Sequence, residues 1–379
     1  MKEMRLNPLP ALTWNWLRMN KALWPQTEGK TEGRAQNESA ALKANPELKA
    51  RAAKISVSKL PKGAEHIKDA RKELLSLKEI SCALGKDFDN FLSESECVPE
   101  ALTFASGTKA SEPIFVRVEP KEGEASFGSL VIKAMDNVEA DIIIEWAGAK
   151  KAEGLNAFQT KIYAGYNSRV HVSTVQLLGS GFVHFNDVGT IGREGSDIQV
   201  TQLELGADKI FMGVRSALNE ARSGFRHDAA YCLDKSRELD MNFLAEQTGR
   251  ATKSLMNVYG TLKDGAKKTY RGTIDFKKGC AGSIGNETEE TLLLSPDVVN
   301  KSIPLILCDE EDVQGEHGAT IGRLDEALLF YMETRGVSEE EARKMMARSK
   351  IARVAALIGD DGEAQKALDF FDECFGGQK

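Results

Sequence analysis

Between about residue 112 and residue 308 the chain is written in short alternating runs. PIFVRVEP, SLVIKA, ADIIIEW, KIYAG, RVHVSTVQLLG, DIQVTQLELG, SLMNVYGTL and TYRGTIDF are rich in Val, Ile, Thr and Tyr and bounded by Gly, Asn or Asp. Such runs predict β-strands. No helical pattern of ordinary length is interleaved, which disfavours a βαβ sheet. A loose repeat runs through them: GYNSRVHVSTVQLLG and GREGSDIQVTQLELG share a turn cluster, an alternating strand and a similar ending, and SGFRHDAAYCL is a weaker third copy. Repeats of this size suggest rungs of a β-solenoid, each burying its inner face against its neighbours. A β-sandwich uses similar strands, and periodicity alone leaves both open.

The two ends read differently. Residues 1 to about 100 predict a helical and linker-like region. ALTWNWLRMNKALW carries apolar residues at helical spacing, PQTEGKTEGRAQNES interrupts it, and EHIKDARKELLSLKEISCAL resumes it. Trp14, Trp16 and Trp24 form a stripe, readable as a ligand platform or as packing against the next region. From Leu324 the chain turns helical. Asp325 can cap EALLFYMET, Gly336 suits the position just past its end, and Ser338 with Glu341 forms a capping box for the next helix. That helix places Ala342, Met345, Met346, Ala352, Ala355 and Ile358 on roughly one face. GDDG at 359–362 breaks it before a final segment, EAQKALDFFDECF. A Met/Ala-lined helix pair either completes the core or docks on a partner. The expected division is 1–111, an N-terminal helical and linker region; 112–323, the β core; and 324–379, the C-terminal helices.

Composition narrows the function classes. A net charge of −7 argues against a nucleic-acid partner. The longest apolar runs are too short to cross a bilayer, and from the polar, proline-broken opening secretion is not expected. A cytoplasmic protein is the expectation, with its six cysteines reduced, since none stands in CxxC spacing.

Several motifs are decoys. GTLKDGAKKT at 260–269 nearly fits a phosphate-binding loop, but Ala266 stands where the lysine should follow the second glycine. His184 near Asp187, and His227 beside Asp228, are each readable as half of an acid–base pair or as a structural histidine. His171 should point away from Val170 and Val172, and His66 should lie on the surface. Glu316 and His317 remain, expected on a glycine-flanked turn between Gly315 and Gly318. Imidazole and carboxylate suit iron and similar metals, and two ligands would need completion by a partner chain, a thiol or sulfide.

DVQGEHGATIGRLDEALLFYMETRGVSEEEA, with the upstream YRGTIDFKKGCAGSIGNETEETLLLSPDVVNKSIPLILC, closely resembles the SufB/SufD scaffold proteins of SUF iron–sulfur cluster assembly. The resemblance is strongest from Gly154 to Met346. It implies a right-handed parallel β-helix flanked by helical regions, and pairing through the β-helix with a SufB-like chain or with itself. It implies C-terminal helices that dock the SufC ATPase, so that no nucleotide is bound by this chain. It implies a nascent iron–sulfur cluster, or iron, held transiently at the dimer interface near His317. Metal contact is therefore expected of His317 and Glu316, and no chemical step of catalysis is expected of this chain alone. Where SufD proteins commonly have Cys-Ser-His, this chain has Gly315-Glu316-His317. Where SufB proteins have Glu-His-Glu, Gly318 replaces the last residue. Glu289 takes the place of the SufB scaffold cysteine, and Cys280 and Cys308 match no motif. The chain thus looks SufD-like. A purely structural adaptor and a β-helical carbohydrate-active enzyme using Glu204 and Asp187 are the alternatives.

Overall fold

A computed structural model describes residues 3–11, 19–24, 48–149 and 152–375. The alternating runs form a parallel β-solenoid of about 8 turns. Each turn gives one strand to a ten-stranded sheet and one to a nine-stranded sheet. Neighbouring turns pair in parallel, as in Gly154–Ala164 with Phe182–Gly192 and Arg169–Leu177 with Asp197–Glu204. The three repeat copies stack directly: Arg169 pairs Asp197, which pairs Gly224.

Strand alternation sorts each rung. One set of side chains, including Val172, Val200, Met212, Phe243 and Ile274, fills the lumen as one continuous apolar cluster. The other set faces outward and is covered on both sheets. Over the first sheet, Trp24, Leu84, Phe88 and Leu92 pack on Phe127, Leu155, Phe185 and Phe211. Over the second, Ile351, Val354 and Phe371 pack on Val175, Leu203 and Tyr259. At one corner a residue of positive φ recurs turn after turn: Asn137, Asn167, Gly195, Arg222, Ala251 and Gly282. Each donates its N–H to a carbonyl of the following turn, which repeats one tight corner along the stack.

Five helices complete the described residues: α1 Arg71–Ser76, α2 Lys86–Ser93, α3 Glu326–Thr334, α4 Glu339–Ala355 and α5 Asp361–Cys374. The C-terminal caps form as the sequence predicts. Asp325 accepts from Ala327 N–H at 2.9 Å, Gly336 has φ 85°, and Ser338 and Glu341 close a capping box. The face that α4 buries is Ala342, Ala347, Ile351, Val354 and Ala355, whereas Met345 is exposed.

The N-terminal region departs from the helical expectation. Its described residues hold the strands Met4–Leu6, Ala22–Trp24, Lys49–Ala52, Ile55–Ser58, Ala64–Ile67 and Val98–Phe104, with only the two short helices α1 and α2. Val98–Phe104 already belongs to the first turn of the solenoid, pairing in parallel with Glu124–Ala134. Ile55–Ser58 and Ala64–Ile67 pair antiparallel with the first turn and close that end. Trp24 is core, its ring 5.1 Å from Phe185, while Trp14 and Trp16 lie outside the described residues. No helix among the described residues is long and apolar enough to cross a membrane.

Candidate functional site

The two ends of the solenoid are finished differently. At the far end the last turn consists of Val299–Cys308 and Val313–Gly322, and nothing among the described residues pairs with their outer edges. Val313–Gly322 is exposed almost throughout. Glu316 and His317 lie in this strand, not on a turn, which corrects the sequence expectation. The cause is register: the segment continues the rung pattern, with Asn286 opposite Glu316 and Glu287 opposite His317.

A strand sends adjacent side chains to opposite faces, so Glu316 and His317 diverge. His317 continues the column Val200, His227, Met256 and Glu287. Because Val200 and Met256 are lumen core, His317 stands on the lumen side of the open end. Glu316 stands on the outer side, above Asn286. No group of three or more His, Cys, Asp or Glu side chains arranged to hold a metal occurs among the described residues.

Beneath His317 the lumen becomes polar. Lys268 crosses from one sheet to bond the Glu289 carboxylate, which also accepts from Ser302 and, at 3.1 Å, from Thr291. Tyr231 and Thr291 hydroxyls lie 3.1 Å apart. Both members of the ion pair are almost fully buried, and burial pushes the Lys268 ammonium below the usual lysine range, against the pull of Glu289. Glu287 reaches toward Gly272, where an added Cβ would stand 2.0 Å from its Oε1. Desolvation pushes the Glu287 carboxyl up to about 7, although Tyr270 beside it acts in the other direction. Its Oε2 is buried with no hydrogen-bond partner among the described residues.

The other sequence candidates are dispersed. His184 faces the lumen, its Nδ1 3.0 Å from Asn156 Nδ2, and burial pulls it down to about 3. Asp187 faces outward and accepts the N–H groups of Ala83 and Leu84 at 3.1 and 3.0 Å, pinning the N-terminal segment. These two therefore form no acid–base pair. His227 bonds Gln202 in the lumen while Asp228 pairs with Arg226 outside. His171 points outward to Asp141 and Thr201, as expected. His66 is not a free surface residue: its Nε2 lies 2.5 Å from Glu100 and both side chains are mostly covered. Glu204 lies in the lumen, 4.0 Å from His184, on the other side of the wall from Asp187, so the pair proposed for glycoside chemistry does not converge. Cys280 is buried, and Cys308 is exposed on the last turn. The loop at 260–269 joins two strands and opens no helix.

Residues 116–350 match the model of the family described as SUF system FeS cluster assembly, SufBD core domain. The chain belongs to the SufBD family. It is 24% identical to the iron–sulfur cluster assembly protein SufD of Bacillus subtilis over 265 residues, covering 68% of this chain and 59% of that protein. It is 23% identical to SufD of Escherichia coli over 192 residues, covering 51% of this chain and 39% of that protein. A SufBD family protein of Mycobacterium leprae is 23% identical over 270 residues, 68% of this chain and 67% of its own length. The chain thus spans well under two thirds of the two SufD relatives, and it is the SufD-like kind of SufBD chain.

Within this SufBD chain, the C-terminal helices divide into two groups. The apolar faces of α4 and α5 are spent on the chain's own second sheet. Helix α3 buries no residue, and it leaves Leu328, Phe330 and Tyr331 exposed, the latter two at 68% and 55%. Sequence reasoning missed Glu287 and Lys268. The signal for Glu287 was available only through register, since it sits one full turn before His317.

Proposed function

We propose that this chain is a SufD-like, non-enzymatic scaffold subunit of the SUF pathway. In this reading it pairs through the open last turn of its solenoid with a SufB-like chain or a second copy of itself. Two parallel edge strands with no strand partner on their outer side among the described residues favour such an addition, because an uncovered edge is a template for another strand. The SufC ATPase docks on the C-terminal region, with α3 as its contact because that helix keeps its apolar side chains uncovered. His317 meets iron or the nascent cluster where the two chains join. The cluster is cargo, built there and passed on.

The observation that carries this reading is the position of His317: exposed, on the terminal strand, at the lumen mouth. The test is anaerobic assembly with iron and sulfide in the presence of the SufB-like and SufC-like partners, comparing the parent with His317→Ala. Loss of cluster from an intact complex supports the metal role. Equal occupancy removes it.

One observation favours a second reading, an adaptor that holds its partners without touching metal. Glu289, at the place of the SufB cysteine, is neutralised by Lys268, and no thiol stands on the same rung column as His317 among the described residues. Under that reading the parent and His317→Ala complexes carry equal cluster.

A further inference from the structure

We propose that Glu287, not Glu316, is the carboxylate that shares a metal with His317, giving one chain a two-donor site for a divalent cation of the iron class. This rests on the reading that His317 meets iron, and it names the partner residue within the same subunit.

Face decides first. Glu287 and His317 are directly opposite on adjacent parallel strands, and both belong to the lumen column that contains Met256. Neighbouring strands lie about 4.8 Å apart, a separation that two side chains of this length close easily around one ion. Glu316 is adjacent in sequence but projects to the other side of the sheet.

Availability decides second. Two carboxylates occupy the lumen in the turn below His317. Glu289 is satisfied at both oxygens, by Lys268 and Thr291 on one and Ser302 on the other. Opposite Glu289 on the last strand stands Ala319, which offers no donor. Glu287 is 3% exposed with the Tyr270 hydroxyl beside its carboxyl, yet its Oε2 has no hydrogen-bond partner among the described residues. A buried carboxylate oxygen without a partner is costly, and a bound cation removes that cost. Gly272 makes the arrangement possible, since any side chain there would meet the carboxylate.

The chemistry fits. Imidazole nitrogen with carboxylate oxygen suits ferrous iron and similar divalent ions, and two protein donors leave positions for water, sulfide or a partner's ligand. The cation would thus be loaded at the lumen mouth of one subunit before or during pairing.

The test is titration of the purified full chain, without partners, with Co(II) as probe, read by ligand-field absorbance and calorimetry. The parent is expected to bind one Co(II). His317→Ala and Glu287→Gln should each weaken binding at least about tenfold, the scale on which even outer-shell changes act, and Glu316→Gln should change it less than about twofold. Glu287→Asp, which keeps the charge but shortens the reach, is the second variant should Glu287→Gln fail to fold, and it too should weaken binding. The proposal is overturned if the parent binds no Co(II), if Glu316→Gln weakens binding as much as His317→Ala, or if both Glu287 variants bind like the parent. In the last case, loss of binding in His317→Ala would leave the histidine's role standing while removing Glu287. The His317 reading is judged separately, by cluster assembly in the complex.

Discussion

Replacing Lys268 by Met tests the polar layer of the lumen directly. The substitution keeps an unbranched stem of similar length and deletes the ammonium that neutralises Glu289. Lys268 is 1% exposed and Glu289 2%, so water cannot take over. Ser302 and Thr291 still donate to Glu289, but two hydroxyls do not balance a charge. Breaking one side of a buried pair costs about 3–5 kcal/mol. Replacing both partners, as in Lys268→Met with Glu289→Gln, removes the uncompensated charge, and the double variant should recover about 2–3 kcal/mol relative to the sum of the singles. Urea unfolding followed by tryptophan fluorescence, to which the buried Trp24 and Trp146 contribute, measures this, with m unchanged if the denatured state is unaffected. Single effects that simply add, within about 0.5 kcal/mol, would show that the pair is not coupled and that the lumen at this level is hydrated.

Burial holds the Glu204 carboxyl up at about 8 in the folded chain, against an ordinary 4.5. The folded state therefore keeps a proton that the unfolded chain releases, so this contribution is complete below about pH 4.5 and is lost as pH rises toward 8. Glu204→Gln should flatten the decline in Tm between about pH 4.5 and pH 8, and an unchanged decline there would refute the assignment. His184 and His227, pulled by burial to about 3 and about 4 from 6.5, act in the opposite sense: their contribution is complete above about pH 6.5 and is lost as pH falls toward those values. Asp187→Ala leaves the Ala83 and Leu84 N–H groups without an acceptor and should cost about 2–4 kcal/mol, with faster proteolysis between α1 and α2; proteolysis at the parent rate would remove its pinning role. Phe330→Ala with Tyr331→Ala should leave thermal stability within about 0.5 kcal/mol but weaken capture of a SufC-like ATPase by about 2 kcal/mol or more. Undiminished capture would move the docking surface elsewhere.

The parts that could be read from the sequence are those whose physics is local or repeated. Alternation marked the rungs, and the shared turn chemistry of 165–179 and 192–206 identified neighbours that are stacked strand on strand. Asp325, Ser338 and Glu341 announced their helices because a cap is a local bond. The N-terminal region misled for the opposite reason. Lys49–Ala52 reads KARA, a helix-favouring stretch, and forms a strand only because it lies beside Glu124–Ala134. The placement of Glu316 and His317 shows the same limit. Adjacency in sequence suggested a shared ligand set, but a strand separates neighbours, and the residue that does share a face with His317 is the one a full turn earlier. The neutralisation of Glu289 was equally hidden, because Lys268 comes from the other sheet.

Contact between His317 at the open last turn and the nascent cluster can be read from anaerobic assembly of the complete complex with iron and sulfide. Iron and acid-labile sulfide are counted for the parent and for His317→Ala after each complex has been shown to hold all its subunits. The His317→Ala complex should keep its composition and carry markedly less cluster. Equal cluster in the two complexes would contradict that contact.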